Sequence, residues 1–244
     1  MRWWQLKRSI RSSIQRIGLD VTTCRPGGFP YDFDDDHIDI IKRVKPFTMT
    51  SNERLYGLIE AVKYILNAGI AGDFVECGVY KGGSVMAMAM VLLRANCSDR
   101  NLYLYDTFAG MTEPTDADVD VLGRRPASWA TWAFAPTADV KAAVYSTGYP
   151  KERTHFVKGR VEDTIPAHAP ESICLLRLDT DWYQSTRHEL VHLLPRLSSG
   201  GVLIVDDYGQ YRGSRKAVDE YFSEIGVPVL LHRIDFSGRA WVKQ

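Results

Sequence analysis

The chain has 244 residues, 30 basic against 30 acidic side chains and 45% hydrophobic content. These are the proportions of one soluble domain or two small ones, and they exclude disordered, collagen-like and fibrous classes. A formal net charge of zero provides no basic field for a polyanion, which argues against nucleic acid as a principal partner, and no apolar run reaches the roughly 18 residues of a membrane span.

In chain order, residues 1–17 place Trp3, Leu6, Ile10, Ile14 and Ile17 at helical spacing, with Arg2, Lys7, Arg8, Arg11 and Arg16 largely off that face. The pattern predicts a basic amphipathic helix. It lacks the apolar core and cleavage site of a secretory leader. Such a helix suits an anionic lipid surface or, the stronger reading, docking on its own domain or on a second subunit. From Thr22 to Val44 the periodicity is lost. Pro26, Gly27, Gly28 and Pro30 precede Asp32, Asp34, Asp35 and Asp36, which predicts a linker, and the acids lack the Gly and Glu offsets of a calcium-binding EF-hand loop. Ser51 then opens a helix with Leu55, Leu58, Ile59, Val62, Ile65 and Leu66 on one face, ending near Gly69.

After residue 72 short β-rich runs alternate with helical patterns, the rhythm of a parallel sheet covered on both faces. Strands are predicted at Asp73 to Cys77, Leu102 to Asp106, Thr154 to Lys158, Ile173 to Asp179 and Val202 to Asp206, with a closing pair near Val229 to Arg233 and Arg239 to Val242. Helices are predicted at Ser84 to Ala95, Thr137 to Ser146, Ser185 to Leu197 and Ser214 to Ile225. Ligands of open α/β sheets bind at the carboxyl ends of the strands. Acids dominate those ends: Glu76, Asp106, Glu162, Asp179, Asp181, Asp206 and Asp207. Cys24, Cys77, Cys97 and Cys174 have no CxxC spacing, and Cys77 and Cys174 fall in apolar runs, which points to a reducing, cytoplasmic compartment.

The first strand-to-helix turn, Glu76-Cys77-Gly78-Val79-Tyr80-Lys81-Gly82-Gly83-Ser84, is glycine-rich without being GxGxxG, and no P-loop lysine follows. A dinucleotide or nucleoside triphosphate site is disfavoured, and an acidic strand end before the turn suits a cationic ligand. Asp106, about thirty residues on, is placed for the ribose hydroxyls of an adenosine. If the strands ending at Asp179 and at Asp206 with Asp207 are neighbours, three carboxylates converge at one sheet edge. That clustering costs free energy unless a hard cation such as magnesium or calcium is bound.

Met49 to Leu55, Phe74 to Ser84, Leu104 to Met111, Leu176 to Thr186 and Val205 to Gly209, in that order and spacing, resemble the class I S-adenosylmethionine-dependent methyltransferases. More narrowly, they resemble the macrocin O-methyltransferase family, which methylates sugar hydroxyls of antibiotics. The resemblance covers residues 45–244. It implies a Rossmann-like α/β sheet of seven strands with the last antiparallel, a helical N-terminal extension over residues 1–47, and a methyltransferase domain over 48–244 with a lid inserted at 111–136. It also implies S-adenosyl-L-methionine held by Thr50, Arg54, Glu76, Cys77, Gly78, Tyr80, Gly83, Ser84, Asp106, Thr107, Phe108, Gly159, Val161, Glu162 and Asp179. At the adenine turn Arg160 departs from the small acid of the family pattern. Magnesium is expected at Asp179, Asp206 and Asp207, with Asp179 and Asp181 as the catalytic acids and Asp181 as the base. His188 and His232 are rival bases. The lid carries Pro114, Gly123, Pro126, Trp129, Trp132 and Phe134, aromatic residues that suit a sugar-containing small-molecule acceptor.

The expected activity is therefore metal-dependent O-methylation of a sugar hydroxyl by a cytoplasmic homodimer joined through N-terminal elements. The alternatives are a catechol-type O-methyltransferase and a non-catalytic cofactor-binding module. A NAD-dependent oxidoreductase stands third.

Overall fold

The computed structural model describes residues 3–18, 23–25, 27–126 and 131–244. Arg2, Thr22, Pro26 and Trp129 lie outside the described residues, as do the side chains of Trp3 and Leu6. The chain divides into two compact units, residues 1–38 and 39–244.

In the first unit helix α1 (Trp3–Gln15) takes up the predicted amphipathic segment, and Ile10 and Ile17 are exposed. The Phe29 and Phe33 rings lie 6.3 Å apart, and the Asp34 carboxylate accepts the His37 N–H at 2.8 Å. That bond is a helix cap. The acid-rich stretch read as linker in fact starts helix α2 (Asp35–Val44). Asp35 and Asp36 occupy its first turn, where the helix dipole favours carboxylates, and Ile40, Ile41 and Val44 are buried. Four acids in a row of turn formers masked the i, i+1, i+4 apolar pattern.

The second unit takes in α2 from Asp39 onward and continues with α3 (Asn52–Asn67), capped by Ser51, whose hydroxyl accepts the Arg54 N–H. It continues through β1 (Asp73–Cys77), α4 (Gly83–Arg94), β2 (Leu102–Asp106), α5 (Thr137–Tyr145), β3 (Thr154–Lys158), the one-turn α6 (Val161–Thr164), β4 (Ile173–Leu178), α7 (Tyr183–Leu193), β5 (Leu197–Val205), α8 (Arg212–Ile225), β6 (His232–Arg233) and β7 (Arg239–Val242). The strands form one sheet in the order β3-β2-β1-β4-β5-β7-β6. All neighbours are parallel up to β5, and β7 is antiparallel to both β5 and β6. This is the predicted seven-stranded architecture with a reversed last strand. β5 starts at Leu197, earlier than expected. The predicted Val229 to Arg233 strand shrinks to two residues, and Leu230 is 85% exposed.

The central strands are apolar on both faces because helices cover both. β4 is buried at every position, and Val75, Cys77, Leu176, Leu178, Leu203 and Val205 pack with Leu190, Leu193, Val218 and Phe222 of α7 and α8 in one cluster. Burial of that area drives the fold. The register then sets the site. Cys77 pairs with Tyr105 on one side and Leu178 on the other, and Leu178 pairs with Val205. The next residues of the four strands, Gly78, Asp106, Asp179 and Asp206, therefore stand in one row at the carboxyl edge.

Candidate active site

The strand order reverses at β1, whose neighbours are β2 and β4, and the crevice there is the binding position of open α/β sheets. Gly78 sits at that crevice with φ of 84°. A Cβ on it would lie 1.9 Å from the Asp179 carbonyl oxygen, so no other residue lets the two strand ends approach this closely. Tyr80, Phe108 and Asp181, in the turns after β1, β2 and β4, also have positive φ, as does Ala133 in the insertion. Strained non-glycine backbone thus clusters around this edge, as it does at functional sites.

Two adjoining cavities open along the row. The first, of about 250 Å³, reaches from Thr50, Glu76 and Ser84 to the acids after β4 and β5; the second lies over Thr107, Gly159, Val161 and Glu162. Of the expected cofactor-binding residues, Thr50, Arg54, Glu76, Gly78, Tyr80, Ser84, Asp106 and Asp179 line the first cavity, and Thr107, Gly159, Val161 and Glu162 line the second. Three stand elsewhere. Cys77 is buried in the core cluster. Gly83 packs against Phe47 and Thr48, and the buried Phe108 ring lies 6.3 Å from that of Phe156.

At the β2 end, Asp106 accepts the N–H groups of Val79 at 2.7 Å, Tyr80 at 3.0 Å and Phe108 at 2.6 Å. It fixes both flanking turns while its carboxylate, which has about four lone-pair positions, keeps acceptor capacity toward the cavity. At the β1 end, Glu76 is buried against Arg177. Its Oε2 has no hydrogen-bond partner, and burial pushes its pKa up to about 8 against the opposing pull of Arg177. An orphaned buried carboxylate oxygen facing a cavity fits a cationic donor such as an ammonium group.

The β4 and β5 ends carry the densest charge. Ligand oxygens of Asp179, Asp181 and Asp207 lie within 4.8 Å of one another, and Oδ2 of Asp207 is buried without a hydrogen-bond partner. Desolvation raises Asp179 to about 6 and Asp181 to about 7, and lifts Asp207 well above the usual range. Asp206, expected among the metal ligands, turns the other way. Its carboxylate is buried between Arg54 of α3 and Arg177, the latter at 2.8 Å. The converging set is thus Asp179, Asp181 and Asp207, with Asp206 bound into the arginine pair beside it. The fit to a hard divalent cation is good: carboxylate oxygens, one orphaned, in a partly desolvated pocket.

Arg177 was not singled out from the sequence, yet it organises this edge. It is 1% exposed and touches Glu76, Asp179 at 2.8 Å, Asp206 at 2.8 Å and the Thr50 hydroxyl at 3.0 Å. The available signal was a lone arginine inside the apolar run Ile173 to Leu178, since buried charges survive only when paired. Asp118 was missed too. Fully buried in the insertion, it accepts the Tyr183 N–H at 2.7 Å and the Thr115 hydroxyl at 2.7 Å. It also sits so close to Gly213 that a Cβ there would lie 2.1 Å away. The insertion is anchored further by Trp182, whose indole donates to the Thr112 carbonyl at 2.9 Å, and it sets Trp132 edge-on to Tyr211 at the cavity wall. The rival bases stand apart: His188 contacts the Ile165 carbonyl oxygen, and His232 is exposed on β6.

Sheet order, reversed last strand and an acid-lined carboxyl edge define a class I methyltransferase fold. Over residues 39–243 the sequence matches the macrocin O-methyltransferase (TylF) family, and the chain belongs to that family, which makes it an O-methyltransferase. It is 34% identical over 196 residues to the 8-demethyl-8-(2,3-dimethoxy-α-L-rhamnosyl)-tetracenomycin-C 4'-O-methyltransferase of Streptomyces olivaceus, covering 80% of this chain and 74% of that protein. It is 32% identical to the mycinamicin III 3''-O-methyltransferase of Micromonospora griseorubida, covering 80% and 77%. Among solved structures, the O-methyltransferase NovP aligns with a TM-score of 0.72 at 29% identity over 81% of this chain and 82% of that one.

Proposed function

We propose that the protein transfers the methyl group of S-adenosylmethionine to a hydroxyl of a sugar carried by a natural product, with magnesium at the acidic edge. The observation that carries this reading is the charge of the cavity, where, among the described residues, Glu76, Asp106, Asp179, Asp181, Asp206 and Asp207 face only Arg54 and Arg177. Such an excess of carboxylate is costly unless cations enter. A sulfonium, an ammonium and a divalent metal are cations, whereas the diphosphate of a nicotinamide dinucleotide would be repelled.

Within this proposal Asp106 receives the ribose hydroxyls, the orphaned oxygen of Glu76 receives the ammonium of the methionine part, and the residues around Gly159 and Glu162 cover the adenine. Asp179 and Asp207 hold the metal, and Asp181, in the same cluster, takes the proton from the acceptor hydroxyl. When bound, the cofactor supplies an electrophilic methyl group, and the metal orients neighbouring hydroxyls and lowers their pKa. Trp132 and Tyr211 form an aromatic wall suited to the apolar face of a sugar ring. The relatives named above, which act on a rhamnosyl tetracenomycin and on mycinamicin III, support a glycosylated acceptor over a free catechol. A homodimer and a cytoplasmic location complete the proposal; the four cysteines are free thiols, and no described helix is long and apolar enough to cross a membrane.

The test is calorimetric titration with S-adenosylmethionine, with NADH as control, in magnesium and in chelator, followed by transfer assays on glycosides and catechols. Binding of S-adenosylmethionine alone with glycoside methylation that chelator abolishes is the expected result. Binding of neither ligand would overturn the reading.

A further inference from the structure

α7 carries a buried acid that the proposed chemistry does not use. Glu189 is 0% exposed, and among the described residues no cation pairs with it. Its carboxyl takes the Thr180 hydroxyl, 3.0 Å from one oxygen and 3.2 Å from the other, and it also bonds the buried Cys77 thiol of β1. Burial raises its pKa well above the usual range. A buried carboxyl with no cationic partner is a costly residue to place beside a core of Leu190 and Leu193, where an apolar side chain of similar size would pack without that penalty. Its retention calls for a local reason.

Thr180 supplies one. It stands between Asp179 and Asp181, so a bond on its side chain fixes the backbone carrying both acids. That backbone is under strain: Asp181 has φ of 65°, and the Trp182 N–H closes a tight turn on the Thr180 carbonyl at 2.7 Å. A non-glycine residue in this region is strained and persists only where its surroundings enforce it. Two anchors do so. Trp182 is buried with its indole on the insertion, and Thr180 is tied to Glu189 on the helix behind it.

We propose that Glu189, acting through the Thr180 hydroxyl, is a positioning residue that holds the Asp179–Asp181 turn in its strained, convergent geometry. The role of the turn in methyl transfer rests on the function proposed above, but the brace does not. Removing the brace leaves both carboxylates present and lets Asp181 relax out of line with Asp179 and Asp207.

Three variants of the full chain test this, with two readouts. E189L and T180V remove the bond with little change in volume, while E189Q keeps a neutral acceptor for the Thr180 hydroxyl. Hydrogen exchange at the amides of residues 179–182 reads the brace directly and needs no ligand. Exchange is expected to rise about tenfold or more in E189L and T180V and to return close to wild type in E189Q, as for any local opening that loses a hydrogen bond. In turnover, kcat is expected to fall about tenfold or more in the first two, because small misplacements of reacting groups are expensive. The cofactor KM stays within about threefold, and E189Q recovers most of the loss. Unchanged exchange in both E189L and T180V overturns the proposal. So does a loss confined to cofactor KM, which would make Thr180, a wall of the second cavity, simply a cofactor contact. A wild-type protein that neither binds cofactor nor transfers methyl would sink the function reading alone and leave the exchange result to decide the brace.

Discussion

The two halves of the carboxyl edge solve opposite electrostatic problems. At the β2 end a single carboxylate, Asp106, is satisfied by three backbone N–H groups and the site is structurally complete. At the β4 and β5 ends four carboxylates crowd against two guanidiniums, with a buried Asp207 oxygen left without a partner. The first half is preorganised; the second stores repulsion that a cation relieves. Mutations on the two halves should therefore fail differently.

The largest effect is expected at the charged half: Asp181→Asn should lower kcat about a hundredfold or more, the scale of a lost general base, with cofactor affinity by calorimetry nearly unchanged. Asp206→Ala should act on stability instead, because it strips a buried partner from Arg54 and Arg177 and costs on the order of 3 kcal/mol in denaturant unfolding. Asp206→Asn, which keeps a hydrogen-bond acceptor, should recover part of that loss. On the preorganised half, Asp106→Ala should weaken cofactor binding about tenfold, the scale of a charge-assisted hydrogen bond, and leave magnesium binding alone. A D106A protein with normal cofactor affinity would break the comparison.

A smaller effect concerns pH. The folded-state pKa values of Asp179, Asp181 and Asp206 are raised to between about 6 and about 7. The native state thus holds more protons than the unfolded chain between the usual carboxylate range and neutrality, and stability falls as pH rises through that window. A metal displaces those protons. Millimolar magnesium should therefore raise Tm by several degrees at about pH 8 and hardly at all at about pH 5; equal shifts at both would remove the metal from this cluster. Smallest for catalysis is removal of residues 1–17, which should halve the mass by light scattering if α1 joins two subunits. Starting the chain at Thr48 would be a poorer test, since α2 buries Ile40, Ile41 and Val44.

Much of this was legible in the chain. The core strands announce themselves as apolar runs ended by acids, and parallel register turns the strand ends Gly78, Asp106, Asp179 and Asp206 into a physical row. What stayed hidden depends on contacts distant in sequence. That Asp181 rather than Asp206 joins Asp179 and Asp207 follows from Arg54, 152 residues away from Asp206. The roles of Arg177 in β4 and Glu189 in α7 are not legible in the sequence, because a buried charge shows its purpose only through its partners. α2 was lost because helix-capping acids look like a solvated loop when read without the Asp34 to His37 bond.

The reversed last strand has a consequence for how the enzyme comes into being. The turn before β7 brings Asp235 back to the start of α3, where its carboxylate receives the Ser51 hydroxyl at 2.7 Å and the Arg54 guanidinium at 3.1 Å. Arg54 in turn grips Asp206. The wall of the cavity is thus a clasp whose two halves lie 184 residues apart in the chain. Until the segment around Asp235 has been made and folded back onto α3, the acidic edge lacks its fastening, and the growing chain carries the acids of β4 and β5 without a finished site.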